Sequence, residues 1–290
     1  MKFAWVLNLD AELELARLEF EYVPRVKLLR QLDLYGRGSR ALLGAQDMLL
    51  EPGKPCPAGD FIGRAWCPTP IALRRLAAAG IEPEPHPEAH VLRRVNHRLF
   101  AHEVGGGLPE QRYYTERAPL EALLRRAERP WLLKRPLAFA GRGQMRFYGP
   151  ISDKQWSWLD LSLENDGLIV EPLVTPTLEV SVHGFVWQDG RFELGRICVQ
   201  EVSERGVFRG LRLASAGELE PAEASALGER AELVARSLSE AGYFGPFGVD
   251  AYRFERGEER GFCALSEINA RYTMGFAVGF PRPSSDLSLR

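Results

Sequence analysis

Three oxygen-bearing side chains near the end of the chain could hold a metal ion. Asp250 lies in the segment GPFGVDAYRF, and Glu267 and Asn269 lie two residues apart in CALSEINARYTMG. Side chains two apart on a strand share a face, so these oxygens can converge across neighbouring strands. Mg²⁺ is bound by such oxygens together with phosphates. If the strand continues, Arg271 shares this face and could hold a phosphate. Surface salt bridging is the alternative explanation.

A lysine before a glycine-rich turn offers a phosphate site. The segment WLLKRPLAFAGRGQ places Lys134 at the end of an apolar run, seven residues before a Gly-x-Gly turn. The turn consists of Gly141, Arg142 and Gly143. Backbone N–H groups of such a loop can approach phosphate oxygens, and the lysine supplies a point charge. A tight hairpin explains the turn equally well, and the spacing disfavours both a Walker A loop and a dinucleotide fingerprint.

A polar stripe follows in the segment IVEPLVTPTLEVSVHGFVW. Glu171 stands at a strand end, and period-two alternation puts Glu179, Ser181 and His183 on one face of the next strand. A ligand could lie along this face. A solvent-facing strand surface would produce the same pattern, and Glu171 could be an ordinary loop carboxylate.

Composition limits the class of partner. The 290 residues exceed what one compact core usually holds, so two or three lobes are expected. A net charge of -2 indicates neither a nucleic-acid-binding surface nor an anionic-membrane surface. The four cysteines are scattered without a CxxC pair, which favours reduced thiols over disulfides or zinc. The apolar run at 1–9 is too short for a signal peptide or a membrane span, so we expect a cytoplasmic protein.

The elements that must position these side chains follow from periodicity and from turn residues. Strands are predicted at 3–9, 47–50, 61–66, 131–134, 145–149, 167–172, 178–187, 191–202, 251–254 and 262–268. Helices are predicted at 11–34, 70–80, 88–102, 120–129 and 218–241. The prolines at 83, 85 and 87 favour an extended connector between lobes. The order of the elements is that of an α+β protein.

The motifs resemble those of the ATP-grasp superfamily, whose signature is a lysine before a glycine loop, an acidic pair about eight residues apart, and an acid followed by Glu-x-Asn. All three occur in this order between about residues 92 and 275. The resemblance implies an α+β ATP-grasp fold, in which two α+β subdomains clasp ATP, preceded by a small Rossmann-like α/β lobe. That lobe would occupy residues 1–90, the small lid subdomain 91–170 and the large subdomain 171–290.

The resemblance also implies how ATP would be held. Lys134 would bind the phosphates, and the loop of Gly141, Arg142 and Gly143 would cover them. Glu171 would meet the adenine amino group, the backbone at Pro172 and Leu173 would meet the ring edge, and Glu179 would bind the ribose hydroxyls.

Further roles concern the phosphates and the metal. Arg98 sits where family members usually have a basic residue before the first sheet. His183 is expected to be a further nucleotide contact, with simple surface exposure or a general base as the alternatives. The resemblance implies that Mg²⁺, with Mn²⁺ as the alternative, is held by Asp250, Glu267 and Asn269. Arg271 would lie near the transferred phosphoryl group, which makes Arg271 and Lys134 the expected catalytic residues.

The implied activity is that of an ATP-dependent carboxylate–amine or carboxylate–thiol ligase, which forms an acyl phosphate and ADP. Its partners would be small-molecule or peptide carboxylates and amines, and neither nucleic acid nor a membrane. The oligomeric state is left open, with a homodimer as one candidate. One alternative is a kinase that phosphorylates a small molecule at the same site. Another is a non-catalytic ATP-binding partner protein.

Overall fold

The computed structural model describes residues 1–17, 22, 38–51, 59–138, 143–202, 208–280 and 287. Gly141 and Arg142 of the predicted phosphate loop lie outside the described residues. The helix predicted at 11–34 is wrong as a continuous element, because helix α1 (Ala11–Leu15) ends in a turn. Most of the remaining segment is outside the described part of the chain.

A three-stranded parallel sheet opens the chain. Its strands are β1 (Phe3–Val6), β2 (Met48–Leu49) and β3 (Ile62–Ala65), in the order β2-β1-β3. The central strand β1 is buried along its whole length, as is usual for a parallel sheet covered on both faces. Helix α2 (Pro70–Ala78) follows β3 and begins with a proline, as predicted.

Two short helices, α3 (Ala89–Asn96) and α4 (Arg98–Glu103), replace the single helix predicted at 88–102. The break lies at His97, whose backbone is extended (φ -75°, ψ 128°). Its ring nitrogen accepts a hydrogen bond from the Leu99 backbone N–H at 3.2 Å and so caps α4. A histidine cap carries no strong sequence signal, which explains the error.

The second sheet is antiparallel and contains four strands in the order β4-β7-β5-β6. They are β4 (Arg112–Tyr114), β5 (Trp131–Lys134), β6 (Gln144–Phe147) and β7 (Leu168–Pro172). Helices α5 (Arg117–Arg125) and α6 (Asp153–Asn165) cover it, and Leu120, Leu133 and Leu159 share its core. Because β5 and β7 are neighbours, the predicted lysine and the first acid of the acidic pair lie on adjoining strands.

The third sheet is the largest and runs in the order β11-β10-β8-β12-β13, with β9 paired to β8. Its strands are β8 (Thr175–Val186), β9 (Phe192–Leu194), β10 (Cys198–Val202), β11 (Phe208–Leu213), β12 (Gly245–Arg256) and β13 (Glu259–Asn269). Helix α7 (Pro221–Glu240) packs against this sheet through Leu227, Val234 and Leu238, and α8 (Phe276–Gly279) follows β13.

Several predicted bounds need correction. The strand predicted at 191–202 is two strands, because Arg196 donates its backbone N–H to Gly279 at 2.8 Å and bends the chain away. The helix predicted at 120–129 spans 117–125 instead. Among the described elements, those missed are β4, α6, β11, α8 and a short 3-10 helix (Arg40–Leu42). Helix α6 does carry a signal, a capping box in which Ser152 and Gln155 exchange hydrogen bonds.

The main core lies under β8 and β12. Phe185 and Phe247 are almost fully buried there, and a side-chain carbon on Gly184 would come within 2.6 Å of the Phe247 ring. Glycine therefore lets these two strands close over the aromatic ring. Within the described ranges, no helix is long and apolar enough to cross a membrane.

Replacing Phe247 with alanine should lower the free energy of unfolding by about 3–5 kcal/mol, because a fully buried ring leaves a cavity that the strands cannot close. Urea unfolding followed by circular dichroism measures this. Leu161→Ala is the matched control, since that side chain is 53% exposed and should change stability by only about 0.5 kcal/mol. Equal effects of the two substitutions would contradict this core assignment.

Candidate active site

The candidate site is built around two carboxylates on adjacent strands. Asp250 of β12 and Glu267 of β13 are register partners, so the two acids face each other directly. Like charges placed opposite each other repel. Burial, followed by the charge of Glu267, raises the pKa of Asp250 to about 7. The pair would therefore be stabilised by a cation.

Asn269 joins the pair at the end of β13. Its amide nitrogen donates to Asp250 Oδ2 at 2.8 Å, and its oxygen accepts from Arg271 Nη2 at 2.8 Å. The three predicted metal-ligating residues are thus brought together. A cation held by the Asn269 oxygen would compete with Arg271 for that oxygen.

Arg271 reaches the site from a turn and not from a strand, which corrects the sequence expectation. Strand β13 ends at Asn269, and the backbone N–H of Tyr272 donates to Trp66 O at 3.0 Å, which brings this turn against the parallel sheet. The guanidinium forms an ion pair with Glu12 of α1 and lies 5.4 Å from the centre of the Trp66 ring. Glu12 was missed, because its role depends on contact between segments far apart in sequence.

Arg98 links the second and third sheets. At the start of α4 it donates to the backbone carbonyl of Arg135 at 2.6 Å and to Glu267 Oε1 at 2.9 Å. Its side chain is buried. Arg98 therefore holds the residue after the predicted phosphate-binding lysine beside one of the predicted metal ligands.

Lys134 and Glu171 form a buried ion pair across β5 and β7. Burial and then Glu171 raise the pKa of Tyr252 on β12, so this pair lies within electrostatic reach of the third sheet. Pro172 pairs with Trp131 in the sheet, and the Leu173 backbone N–H donates to Pro130 O at 3.0 Å. That N–H would have to exchange its partner to contact an adenine ring.

Of the three residues in the predicted glycine loop, the structure describes Gly143. It has φ +69°, a value that favours glycine, and its carbonyl accepts from the Arg135 backbone N–H at 2.8 Å. The Arg135 side chain lies against α6, where it donates to Ser162 Oγ at 2.8 Å and stacks on the Trp158 ring. The loop therefore begins and ends beside the strand that carries Lys134.

The polar stripe on β8 is not a solvent-facing surface. Ser181 and His183 are buried, and burial raises the pKa of the half-buried Glu179. The His183 ring nitrogens lie 2.9 Å from Ser181 Oγ and 2.9 Å from Thr273 Oγ1. A side-chain carbon on Gly275 would lie 2.1 Å from the His183 ring, so only glycine fits in that position of SEINARYTMG.

A cavity of about 200 Å³ adjoins these groups. Its wall includes Asp250, Asn269 and Arg271 on one side and Leu9 and Trp66 from the first sheet and its loops on the other. It lies between the N-terminal part of the chain and the third sheet. A small molecule in it would touch Asp250 and Asn269, two of the three predicted metal ligands.

The comparisons with known proteins give structural neighbours alone. No protein-family model matches the chain, and a search of curated protein sequences finds no match. N5-carboxyaminoimidazole ribonucleotide synthetase from Thermus thermophilus is similar, with a TM-score of 0.52, 19% identity, and coverage of 94% of this chain and 72% of that one. The Aspergillus clavatus carboxyaminoimidazole ribonucleotide synthase, complexed with ATP, has a TM-score of 0.52, 18% identity, and coverage of 94% and 70%.

A third similar structure is D-alanyl-alanine synthetase A from Vibrio cholerae. It has a TM-score of 0.52 and 12% identity, and the match covers 99% of this chain and 91% of that one. These neighbours are ATP-grasp proteins. The chain has the ATP-grasp fold. The α+β ATP-grasp fold expected from the motifs is therefore confirmed, whereas the small Rossmann-like lobe expected before it stays a prediction.

The residues of this chain fit a divalent cation. Asp250, Glu267 and Glu12 supply three carboxylates against the guanidiniums of Arg98 and Arg271, which leaves one net negative charge when Asp250 is ionised. The described residues contain no cluster of three or more His, Cys, Asp or Glu side chains that could hold a metal. Two carboxylates and an amide suit Mg²⁺, which usually takes one or two carboxylates and fills its other positions with water and phosphate.

Acid should destabilise the protein through His183. Burial lowers its pKa from 6.5 to about 3, so between these values the unfolded chain binds a proton that the folded chain does not. Stability therefore falls as the pH drops below about 6.5. In His183→Gln, the loss of unfolding free energy between pH 7 and pH 5 should be smaller by about 2 kcal/mol.

Urea unfolding at the two pH values tests this, with His90→Gln as the control because His90 is exposed. The control should keep the wild-type pH dependence. If His183→Gln also keeps it, His183 is not the buried neutral group.

Proposed function

We propose that the protein is an ATP-dependent ligase, which activates a carboxylate as an acyl phosphate and joins it to an amine or a thiol. One observation carries the proposal. Asp250, Asn269 and Arg271 converge at one cavity, and Arg98 ties the neighbouring Glu267 to the segment that follows Lys134. A nucleotide and an acceptor could therefore meet at a single cation.

The nucleotide would lie between the second and third sheets. Lys134 would leave Glu171 to bind phosphate oxygens, and Glu171 would accept from the adenine amino group. Glu179, half-buried on the facing strand, would bind the ribose hydroxyls. The phosphate loop and His183 complete the proposed set, with His183 acting through Ser181 because both of its ring nitrogens are engaged.

Asp250, Glu267 and Asn269 would hold Mg²⁺, or Mn²⁺ in its place, whose charge neutralises phosphate oxygens. Arg271 uses three of its five N–H groups in the contacts with Glu12, Asn269 and the Tyr272 carbonyl. Its two other N–H groups could bind the oxygens of the phosphoryl group in transfer. Catalysis would rest on positioning and electrostatics.

The reaction balances as two displacements. A carboxylate oxygen of the acceptor attacks the terminal phosphorus of ATP, and the bond to ADP breaks. The amine or thiol then attacks the acyl carbon, phosphate leaves, and the nucleophile loses its proton to solvent. Water must be excluded in between, since hydrolysis would release the acid unchanged.

The proposed enzyme has three subdomains, at 1–90, 91–170 and 171–290. Each contains most of one sheet. Small-molecule or peptide acids and amines are the proposed partners. Cys67, Cys198 and Cys263 are free thiols, the state favoured in a reducing compartment, so we propose a cytoplasmic location.

Lys134→Ala should weaken ATP binding by about 10- to 100-fold, the usual cost of removing a hydrogen bond to a charged group. Titration calorimetry with Mg-ATP measures it. Lys154→Ala, an exposed lysine on α6, is the control and should bind like the wild type. Unchanged affinity in Lys134→Ala would remove the lysine from the nucleotide site.

The function is tested with a panel of acids and amines, assayed for ADP, phosphate and product. A ligase releases phosphate only with both substrates, whereas a kinase leaves a stable phosphorylated acid. Glu267→Gln should lower turnover by roughly 100- to 1,000-fold while the protein stays folded, because glutamine can still accept from Arg98.

Glu259→Gln, an exposed glutamate on the same strand, is the control and should keep full turnover. ATP binding without release of ADP under any substrate condition would favour a non-catalytic partner protein. Full activity of Glu267→Gln would contradict the metal assignment.

A further inference from the structure

The cavity beside the cation site restricts the acid that can enter it. This step rests on the proposed function, in which the phosphoryl group is transferred beside Asp250 and Asn269. The acceptor must then occupy the adjoining cavity of about 200 Å³. Pockets for drug-sized ligands measure about 300–1,000 Å³, so the acceptor is small.

Much of the cavity wall is apolar. Leu9 and Trp66 come from the N-terminal part of the chain, Leu211 from β11, and Met274 from the turn after β13. Apolar groups on two sides leave little surface for binding a charged substituent. The body of the acceptor would therefore bury hydrocarbon or aromatic surface.

The charges on the wall are few. Among the described lining residues, Asp250 is the one acid and Arg271 the one permanent cation. Asp250 is committed to the cation site, and the charge of Arg271 is balanced by Glu12. Phosphate and second carboxylate groups are usually recognised by arginine or lysine. Among the described lining residues, a second anionic group would find no cation of its own.

The other polar groups on the wall can hydrogen-bond without charge. Ser181 and Thr273 hold the two ring nitrogens of His183 between them. Thr273 Oγ1 also accepts from the Phe276 backbone N–H at 3.2 Å, so its direction is set. Gln200 adds an amide on β10. These groups suit a hydroxyl or an amide of the acceptor.

We propose that the acceptor is a small monocarboxylic acid with a mostly apolar body and no second anionic group. Its carboxylate lies beside Arg271, whose two remaining N–H groups also face the phosphoryl group that this carboxylate receives. The wall of leucine, tryptophan and methionine holds the rest of the molecule. The described part of the wall gives phosphorylated and dicarboxylic acids no second counter-charge, so they should be poor acceptors.

The experiment uses hydroxylamine as a general nucleophile, because it traps an acyl phosphate as a hydroxamate whatever the natural amine is. The full-length protein with Mg-ATP is given matched pairs of acids: 4-methylpentanoate and glutarate, leucine and glutamate, serine and phosphoserine. At equal concentrations of enzyme and acid, the first member of each pair should give hydroxamate at least about 100-fold faster than the second.

The outcomes separate failure of the acid preference from failure of the ligase proposal. Hydroxamate mainly from the dicarboxylic or phosphorylated acids overturns the inference and leaves the ligase proposal standing. A stable acid phosphate without hydroxamate, or no turnover with any acid, overturns the ligase proposal and the inference with it.

A variant sharpens the test by adding the missing charge. Gln200→Arg should shift the preference toward glutarate or phosphoserine by about 10-fold or more, and Leu211→Arg is the second variant if the first does not fold. Leu161→Arg, on the exposed face of α6, is the control and should leave the preference unchanged. An unaltered preference in folded Gln200→Arg and Leu211→Arg would show that the cavity does not bind the acid.

Discussion

Two carboxylates face each other on neighbouring strands, and holding these like charges together costs folding free energy. The register of β12 and β13 sets Asp250 opposite Glu267, and burial makes their repulsion stronger than it would be in water. Arg98 and Asn269 each hold one of the two acids. Such a pair has little value for stability, so its presence at a cavity is better explained by a ligand that carries positive charge.

The groups that balance this pair also join the three sheets. Arg98 reaches from α4 to the segment after β5 and to β13, and Arg271 reaches from the turn after β13 to Glu12 beside the first sheet. The other end of the cleft follows the same principle, since Lys134 is neutralised by Glu171 on the next strand. The cleft keeps its charges in internal pairs. Under the proposed function, binding would exchange these partners, with phosphates and a cation replacing protein groups.

The cavity next to the cation site works by different chemistry. Besides Asp250 and Arg271, its described wall consists of a neutral histidine, hydroxyl and amide groups and apolar side chains. The ion pair of Lys134 and Glu171 is not part of that wall. Gly275 and Gly248 leave room for His183, since a side-chain carbon on either would approach its ring within 3.0 Å. Gly275 of SEINARYTMG therefore leaves room for His183 in the cavity wall and also lies in the turn after β13.

Local sequence patterns determined much of this protein. Period-two alternation placed Glu179, Ser181 and His183 on one face, and the spacing of Glu267 and Asn269 indicated a shared face, because both depend only on neighbours along the chain. Elements without a strong apolar period, such as α6 and β4, were missed for the same reason. Tertiary structure alone decided that Glu12 pairs with Arg271, that Arg98 bridges two sheets, and that the polar stripe is buried. Those facts depend on which distant segments pack together, and short-range periodicity carries no information about such long-range contacts.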